Sequence, residues 1–344
     1  MMLTITASSL PLILNTLAAA TPPFALGARQ YPATSGNDGL AYPKQRRPGY
    51  DYTSFTQDQQ ERADAVIEQF RFAWNGYYKY AFPHDDLLPT NNSFSDSRNG
   101  WGLTAIDGLD TAVIMEQTDI VNIILNYVLT IDFTQNNAAA PDPVSTSLFE
   151  SNIRYIGGLL GAYDLLKGPF AHLNCPEENV DALLTQAQSL ADTLKFAFET
   201  PTGIPVNTVY IGNRSLAENN KLLDGTYSAG LAELGTLVLE VSLSFLSPRC
   251  WKQSQHLSVL PQWQHLSDLS GDPSYGDLAQ RAESYWFNAA EIWPGLTGGN
   301  FSVQTGEVID QYGGWTSGND SAYEYLIKMC TLALNLVERC AWAC

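Results

Sequence analysis

Apolar residues recur at helical spacing along much of the chain. Thr56-Gln57-Asp58-Gln59 has the pattern of a capping box, which predicts a helix start. The apolar positions that follow it are Val66, Phe70, Trp74 and Tyr77. Pro83 cannot continue a helix, so we expect the first helix to end before it.

The same periodicity predicts further helices at 103–116, 119–133, 146–165, 178–199, 228–240, 274–290 and 319–329. Two segments, 204–211 and 301–309, are rich in β-prone residues, and 138–143 is predicted to be a loop. Helices joined by short loops and hairpins favour an all-α array of helical hairpins, with short β-hairpins between them.

Composition and charge narrow the classes of function. The 344 residues are 45% hydrophobic and 11% aromatic, enough to bury a sizeable core. The formal net charge of −18 disfavours binding to nucleic acid and to anionic membranes, because both carry negative charge. Neutral polar molecules such as sugars, and cations, stay open as ligands.

The N-terminal segment and four sequons favour the secretory pathway. Residues 1–20 end in a short apolar stretch followed by three alanines, which predicts a signal peptide although no basic residue precedes it. The alternative is an uncleaved membrane anchor. Residues 21–55 form an irregular arm without periodicity. Glycosylation is predicted at Asn91, Asn213, Asn300 and Asn319.

The segment 149–163, FESNIRYIGGLLGAY, carries the candidate chemistry. On a helix Glu150 and Arg154 share a face, four residues apart. Gly157 and Gly158 inside a helix each cost about 1 kcal/mol relative to alanine, which indicates close approach of a backbone or a ligand. From the residues alone, a surface ion pair of little energetic weight is the alternative.

This segment resembles the signature of the class I α-1,2-mannosidases, glycoside hydrolase family 47, in a fungal-type secreted form. Four other segments resemble motifs of that family in the same order: 107–111, 202–205, 231–237 and 320–326. The resemblance runs from about residue 55 to residue 329. Without the resemblance, Asp107 and Asp110 of the first motif could simply cap or pair within a helix.

The resemblance implies an (α/α)7 barrel that removes terminal α-1,2-linked mannose from high-mannose N-glycans, with inversion. It implies a Ca²⁺ ion that holds sugar hydroxyls. Glu150 matches the family's proton donor, acting through a water molecule. Arg154, Glu233 and Glu324 match positions in the substrate-binding cleft. Calcium prefers oxygen ligands, which suits an acidic cleft.

Two stretches depart from the family pattern, so 56–329 is interpreted as a partial catalytic domain. Residues 241–262 interrupt an apolar helix face that we expect to resume with Trp263 and Leu266. Their ends can be encoded as intron borders, so a translated intron is suspected, and a surface loop is the alternative. Residues 330–344 form a divergent tail. Four of the five cysteines lie in these two stretches. The family's base and calcium ligand are expected in a C-terminal part that is missing from this chain, so no metal ligand is named and we expect poor activity.

The expected partner is a high-mannose oligosaccharide or glycoprotein, and the chain is expected to be a monomer. A glycan-binding or quality-control homologue that no longer hydrolyses is the alternative function, and the product of a faulty gene model is a third interpretation. Location in the endoplasmic reticulum or Golgi as a membrane-anchored protein is the alternative to secretion.

Overall fold

The computed structural model describes residues 57–137, 144–237 and 262–325. Several predicted segments lie outside these ranges: the signal peptide, the arm, the loop 138–143, the insert up to residue 261 and the tail. The cysteines of the insert and of the tail therefore lie outside them as well. The chain divides into two compact units, residues 1–61 and 62–344. Of the first unit only 57–61 are described, as the start of the first helix; the rest concerns the second unit.

Helices dominate the described part of the chain, which confirms the all-α prediction. They are α1 (Gln57–Tyr80), α2 (Leu103–Asp107), α3 (Leu109–Ile114), α4 (Thr118–Val128), α5 (Leu148–Glu150), α6 (Gly157–Lys167), α7 (Glu177–Leu194), α8 (Leu231–Gly235), α9 (Gln262–Ser270) and α10 (Ser274–Phe287). A π-helical segment, Ser151–Ile156, joins α5 to α6. Another helix begins at residue 320, and its described part runs to 325.

Short antiparallel strands connect the helices. They are β1 (Asp86–Leu88), β2 (Ser93–Ser95), β3 (Thr146–Ser147), β4 (Thr208–Tyr210), β5 (Ser215–Leu216), β6 (Ser228–Gly230) and β7 (Asn300–Ser302). β1 pairs with β2, β4 lies between β3 and β5, and β6 pairs with β7. The pairing of Ser147 with Thr208 brings the segment before Glu150 next to β4.

Several predicted helices are shorter than the periodicity suggested. The helix predicted at 103–116 breaks at Gly108, which has a low helix propensity. The helix predicted at 119–133 ends at Val128. The Asp132 carboxylate accepts from the Thr134 amide and hydroxyl, and such local bonds compete with helix continuation. Residues 228–230 form a strand instead of a helix, because they pair with 300–302.

The core lies between α6 and its neighbours α7 and α3. On α6, Leu159 and Ala162 have no exposed surface, and on α7 the same is true of Leu183 and Leu190. These positions follow the three- and four-residue spacing of a helix face, so burial of that face holds the hairpin together.

Helix α9 also contributes to this core. Trp263 is fully buried, with its ring centroid 4.9 Å from that of Phe198 and 6.1 Å from that of Tyr275. Leu266 is fully buried as well. The apolar face expected to resume at Trp263 therefore faces the core, whereas the intron origin of 241–262 stays a prediction.

Two further observations complete the fold. Across the described ranges, every helix is too short or too polar to span a bilayer.

The paired glycines allow the expected close approach of another backbone segment: a Cβ on Gly158 would lie 2.8 Å from the carbonyl oxygen of Ile106. A Cβ on Gly157 would lie 3.2 Å from the Gln262 side-chain nitrogen. Helix α2 can approach α6 this closely only because residue 158 has no side chain.

We predict that Gly158→Ala destabilises the protein, by about 1–3 kcal/mol, because overpacking against a backbone carbonyl outweighs the gain in helix propensity. Gly161→Ala, in the same helix, is the matched control. A Cβ there meets nothing within 4 Å, so alanine should stabilise by about 0.5–1 kcal/mol. Urea denaturation of both variants measures the difference. Equal shifts in the same direction would contradict the proposed close packing.

Candidate active site

Glu150 stands where a short sheet changes into a helix. The Ser147 hydroxyl caps α5 by accepting from the Glu150 amide at 3.2 Å. The Leu148 amide donates to the carbonyl of Asn207 at 2.7 Å. Because both ends of this turn are hydrogen-bonded, the backbone that carries the Glu150 side chain is fixed.

The Glu150 carboxylate lies between two guanidinium groups. Arg154 Nε donates to Glu150 Oε2 at 2.5 Å, and Arg98 Nη2 donates to Oε1 at 3.2 Å. Arg154 Nη1 also donates to Asp107 Oδ2 at 3.0 Å. The four side chains form a row of alternating charge, and both oxygens of Glu150 are occupied. The predicted Glu150–Arg154 pair is therefore observed, as one link of a longer row.

Electrostatics of this row favour an ionised Glu150. Burial raises the pKa of the Glu150 carboxyl, but Arg154 and Arg98 together outweigh it, so the pKa lies below its ordinary value. Burial raises the pKa of Asp107 above its ordinary value, and Arg154 offsets only part of that effect. The Arg154 guanidinium gains from both carboxylates, which raises its pKa. Since these side chains are partly exposed, solvent screens their attraction.

A π-helical segment follows Glu150, where the sequence predicted a continuous α-helix. It spans Ser151–Ile156 and carries Arg154 on the site side, while Asn152 is buried and donates to the carbonyl of Thr236 at 3.1 Å. Such segments occur often at functional sites, because the wider turn changes the direction of the side chains. Hydrophobic periodicity averages over several turns, so it does not reveal one widened turn.

Asn207 links the Glu150 turn to Glu233. Its Oδ1 accepts from the Phe149 amide at 2.8 Å and from the Ser147 hydroxyl at 3.1 Å. Its Nδ2 donates to Glu233 Oε1 at 2.7 Å. One side chain on the loop before β4 thus satisfies groups on two other segments of the chain.

The carboxylate of Glu233 is engaged by the protein itself. Glu233 Oε2 accepts from the Gly230 amide at 2.8 Å, so the third residue of α8 satisfies the backbone donor of its N-cap residue. Burial raises the pKa of Glu233, and its hydrogen bonds to Gly230 and Asn207 oppose that change. Glu324 is exposed on the helix that begins at residue 320. Substrate contact by either residue stays a prediction.

Sequence reasoning missed two residues of this site and left a third open. Arg98 lies in a segment without periodicity, and Asn207 lies in a segment predicted only as β-prone. Asp107 pairs with Arg154 on another helical segment and does not cap the helix to which it belongs. Asp110 accepts a local hydrogen bond from the Thr111 amide. The motif around Asp107 was the available signal, and its partner could not be read from spacing.

Metal ligation has no candidate set in the described ranges. Residues 57–137, 144–237 and 262–325 hold no group of three or more His, Cys, Asp or Glu side chains placed to bind an ion. The described ranges therefore offer no cluster of carboxylates that would hold calcium, and no chemical step is assigned to a metal below.

We predict that Asn207→Ala destabilises the protein by about 1–3 kcal/mol, because it leaves the Phe149 amide and Glu233 Oε1 without their partner. Asn219→Ala is the matched control, since Asn219 is exposed and its amide donates to one side chain, Thr208. Chemical denaturation compares the two variants. A loss in Asn207→Ala no larger than in Asn219→Ala would show that the link carries no stability.

Comparison with known proteins covers most of the chain. A family model described as glycosyl hydrolase family 47 matches residues 69–248 and 249–341. A mannosyl-oligosaccharide alpha-1,2-mannosidase of Coccidioides posadasii is 46% identical over 274 residues, which cover 78% of this chain and 46% of the relative. One from Penicillium citrinum is 45% identical over 274 residues, covering 78% and 47%.

The structural comparison agrees. The alpha-1,2-mannosidase from Trichoderma reesei matches with a TM-score of 0.67 and 46% identity, covering 78% of this chain and 50% of that one. The mostly helical fold is that expected of an (α/α)7 barrel protein. The chain spans about half the length of the curated relatives it matches. The match of the family model to most of its residues, together with these identities, shows that the chain belongs to glycosyl hydrolase family 47.

Proposed function

We propose that the protein hydrolyses α-1,2-linked mannose in mannosyl-oligosaccharides, with Glu150 as the proton donor. The observation that supports this most directly is the arrangement at Glu150. Its carboxylate is fixed between Arg98 and Arg154. Glu150 and Arg154 both belong to the family-like segment 149–163. The names of the relatives point to the same substrate class. Arg154, Glu233 and Glu324 are proposed to line the sugar-binding cleft around it.

The chemistry needs a carboxylic acid near the leaving oxygen. Glu150 is mostly ionised near neutral pH, because its pKa lies below the ordinary value. Above that pKa, the protonated fraction of a carboxyl falls about tenfold for each pH unit. A step that needs Glu150 protonated therefore speeds up as pH falls towards its pKa. Delivery of the proton through an intervening water molecule suits a carboxylate whose two oxygens are held by arginines.

The remaining features of the proposal rest on family membership. Calcium is proposed to hold sugar hydroxyls when bound, and the part of the chain that the structure describes holds no group of three or more His, Cys, Asp or Glu side chains for it. The substrate is proposed to be a high-mannose glycan, free or on a glycoprotein, and the protein to act as a monomer.

We predict that Glu150→Gln lowers kcat for mannose release by about 10²–10⁴-fold, the usual contribution of general acid–base assistance. Glu177→Gln is the matched control, because Glu177 is exposed on α7 and pairs only with Lys167 at the surface. Release of mannose from an α-1,2-linked mannobiose, with and without added calcium, measures both. Measurable mannose release at the same rate by Glu150→Gln and the parent chain would refute the role of Glu150.

The non-hydrolysing alternative gives a different result in the same experiment. A glycan-binding homologue would bind the disaccharide without releasing mannose, in the parent chain as well as in Glu150→Gln. Isothermal titration with the disaccharide, run beside the activity assay, separates the two functions.

The secretory pathway is the proposed location, and the sequons support it. Asn91 and Asn213 lie in the turns of the β1–β2 and β4–β5 hairpins, exposed. In each, the hydroxyl of the sequon serine donates to the Asn Oδ1, at 2.9 Å and 2.7 Å. Asn300 is exposed at the start of β7. The Nδ2 of Asn300 donates to the carboxylate of Asp310 at the surface. Asn319 differs in being only 5% exposed, and its Nδ2 donates to the carbonyls of Tyr312 and Gly314.

We predict glycans on Asn91, Asn213 and Asn300 in a chain secreted from a eukaryotic host, and none on Asn319. A glycan on Nδ2 of Asn319 would displace its buried hydrogen bonds and prevent the surrounding loop from packing. Enzymatic deglycosylation in H₂¹⁸O followed by peptide mass spectrometry identifies the occupied sites. An occupied Asn319 in correctly folded protein would contradict the buried position.

A further inference from the structure

Arg98 reaches Glu150 from a loop whose backbone is unusual. Loop 98–102 has three residues with left-handed backbone conformation: Asn99 (φ 72°), Gly100 (φ 68°) and Gly102 (φ 77°). Glycine adopts this conformation readily, whereas it is unfavourable for Asn99, which has a side chain, so surrounding contacts must hold the loop at that residue.

The carboxylate of Asp85 holds this loop. Asp85 has no exposed surface. Its Oδ2 accepts from the amides of Arg98 and Gly100, at 2.7 and 2.8 Å. Its Oδ1 accepts from the amides of Gly102 and Leu103, both at 3.0 Å. Four backbone donors on one carboxylate fix the path of the chain from residue 98 to residue 103.

Tyr155 connects the same loop to the segment that carries Glu150. Its hydroxyl lies 2.7 Å from the carbonyl oxygen of Arg98 and 3.1 Å from Asp85 Oδ1, with its one proton shared between these acceptors. The Tyr155 ring is fully buried and packs edge-on against Trp101 and Phe133. Tyr155 follows Arg154 in the chain and cannot move independently of it.

Both polar backbone atoms of Arg98 are therefore held, the amide by Asp85 and the carbonyl by Tyr155. The direction of the Arg98 Cα–Cβ bond is then fixed, and from that starting point the guanidinium meets Glu150 Oε1 at 3.2 Å. The charged groups that face Glu150 are Arg98, Arg154 and, through Arg154, Asp107. Among the described residues, removal of Arg98 leaves Arg154 as the one cation in contact with Glu150.

We propose that Asp85 and Tyr155 are positioning residues that hold the Arg98 guanidinium against the carboxylate of Glu150. Their importance for catalysis rests on the proposed function of Glu150. Their effect on the charge state of Glu150 does not, because it can be measured without substrate.

The test uses the full chain with ¹³C-labelled glutamate, and the Glu150 carboxyl resonance is assigned by its loss in Glu150→Gln. Arg98→Gln should raise the pKa of Glu150 by about one pH unit, since an opposite charge in contact with a carboxylate lowers its pKa by roughly that amount or more. Tyr155→Phe, which keeps the ring, should raise it in the same direction by a smaller amount. The double variant should match Arg98→Gln, because both changes act through one guanidinium.

Tyr275→Phe is the matched control. Tyr275 is a buried tyrosine whose hydroxyl donates to the carboxylate of Asp192 at 2.9 Å, on α10 and away from Arg98. It should leave the pKa of Glu150 unchanged. A Tyr155→Phe variant that melts at a lower temperature but keeps the parent pKa of Glu150 would overturn the proposal. A double variant in which the pKa of Glu150 shifts by the sum of the two single shifts would also overturn the proposal.

Asp85→Asn is the second variant, and it decides the proposal if Tyr155→Phe does not fold. It should raise the pKa of Glu150, and an unchanged value would overturn the positioning role. Activity is read separately. If the parent chain releases no mannose, the proposed function fails while the pKa comparison still decides the positioning. If it does release mannose, the alkaline limb of kcat in Tyr155→Phe should move to higher pH with KM unchanged.

Discussion

The geometry of the site depends on one carboxylate being held between two guanidinium groups. Glu150 touches Arg154 through one oxygen and Arg98 through the other, and the two attractions together outweigh the effect of burial on its charge. Arg154 comes from the same turn of helix, so its contact is local. Arg98 is 52 residues away, so its contact exists only if the tertiary structure brings its loop to that point. The fold around the site supplies that constraint.

That constraint is met by hydrogen bonds to backbone more than by packing of helices. On one side, Asp85 binds four amides of the chain that leads from Arg98 into α2. On the other, Asn207 binds the turn that leads into α5. Both groups are acceptors in places where the backbone leaves regular structure and its donors need partners. Irregular backbone next to Glu150 is thus stable because two polar side chains satisfy it.

The sequence was informative where the physics is local. The apolar spacing on α6 and α7, and the burial of Trp263 and Leu266, followed from periodicity. The Glu150–Arg154 pair followed from a separation of four residues. Arg98 and Asn207 could not be predicted, because each acts on a distant segment and neither interrupts or extends a pattern. The breaks at Gly108 and Val128 and the π-helical turn were missed for a related reason. Periodicity reports which face is buried and is insensitive to how one turn is closed.

The lowered pKa of Glu150 bears on two needs of such a site, a carboxylate held in a fixed position and a carboxyl that can give up a proton. A carboxyl in an apolar pocket would keep its proton at neutral pH, but it would lack the ionic contacts that fix its position. Glu150 has the opposite arrangement, with both oxygens fixed and the proton held weakly. A proton held weakly is transferred easily once it is present, whereas the fraction of molecules that carry it is small. In the proposed function Arg98 and Arg154 set the balance between these two effects, and residues that only hold an arginine in place would then tune the chemistry of a carboxyl they do not touch.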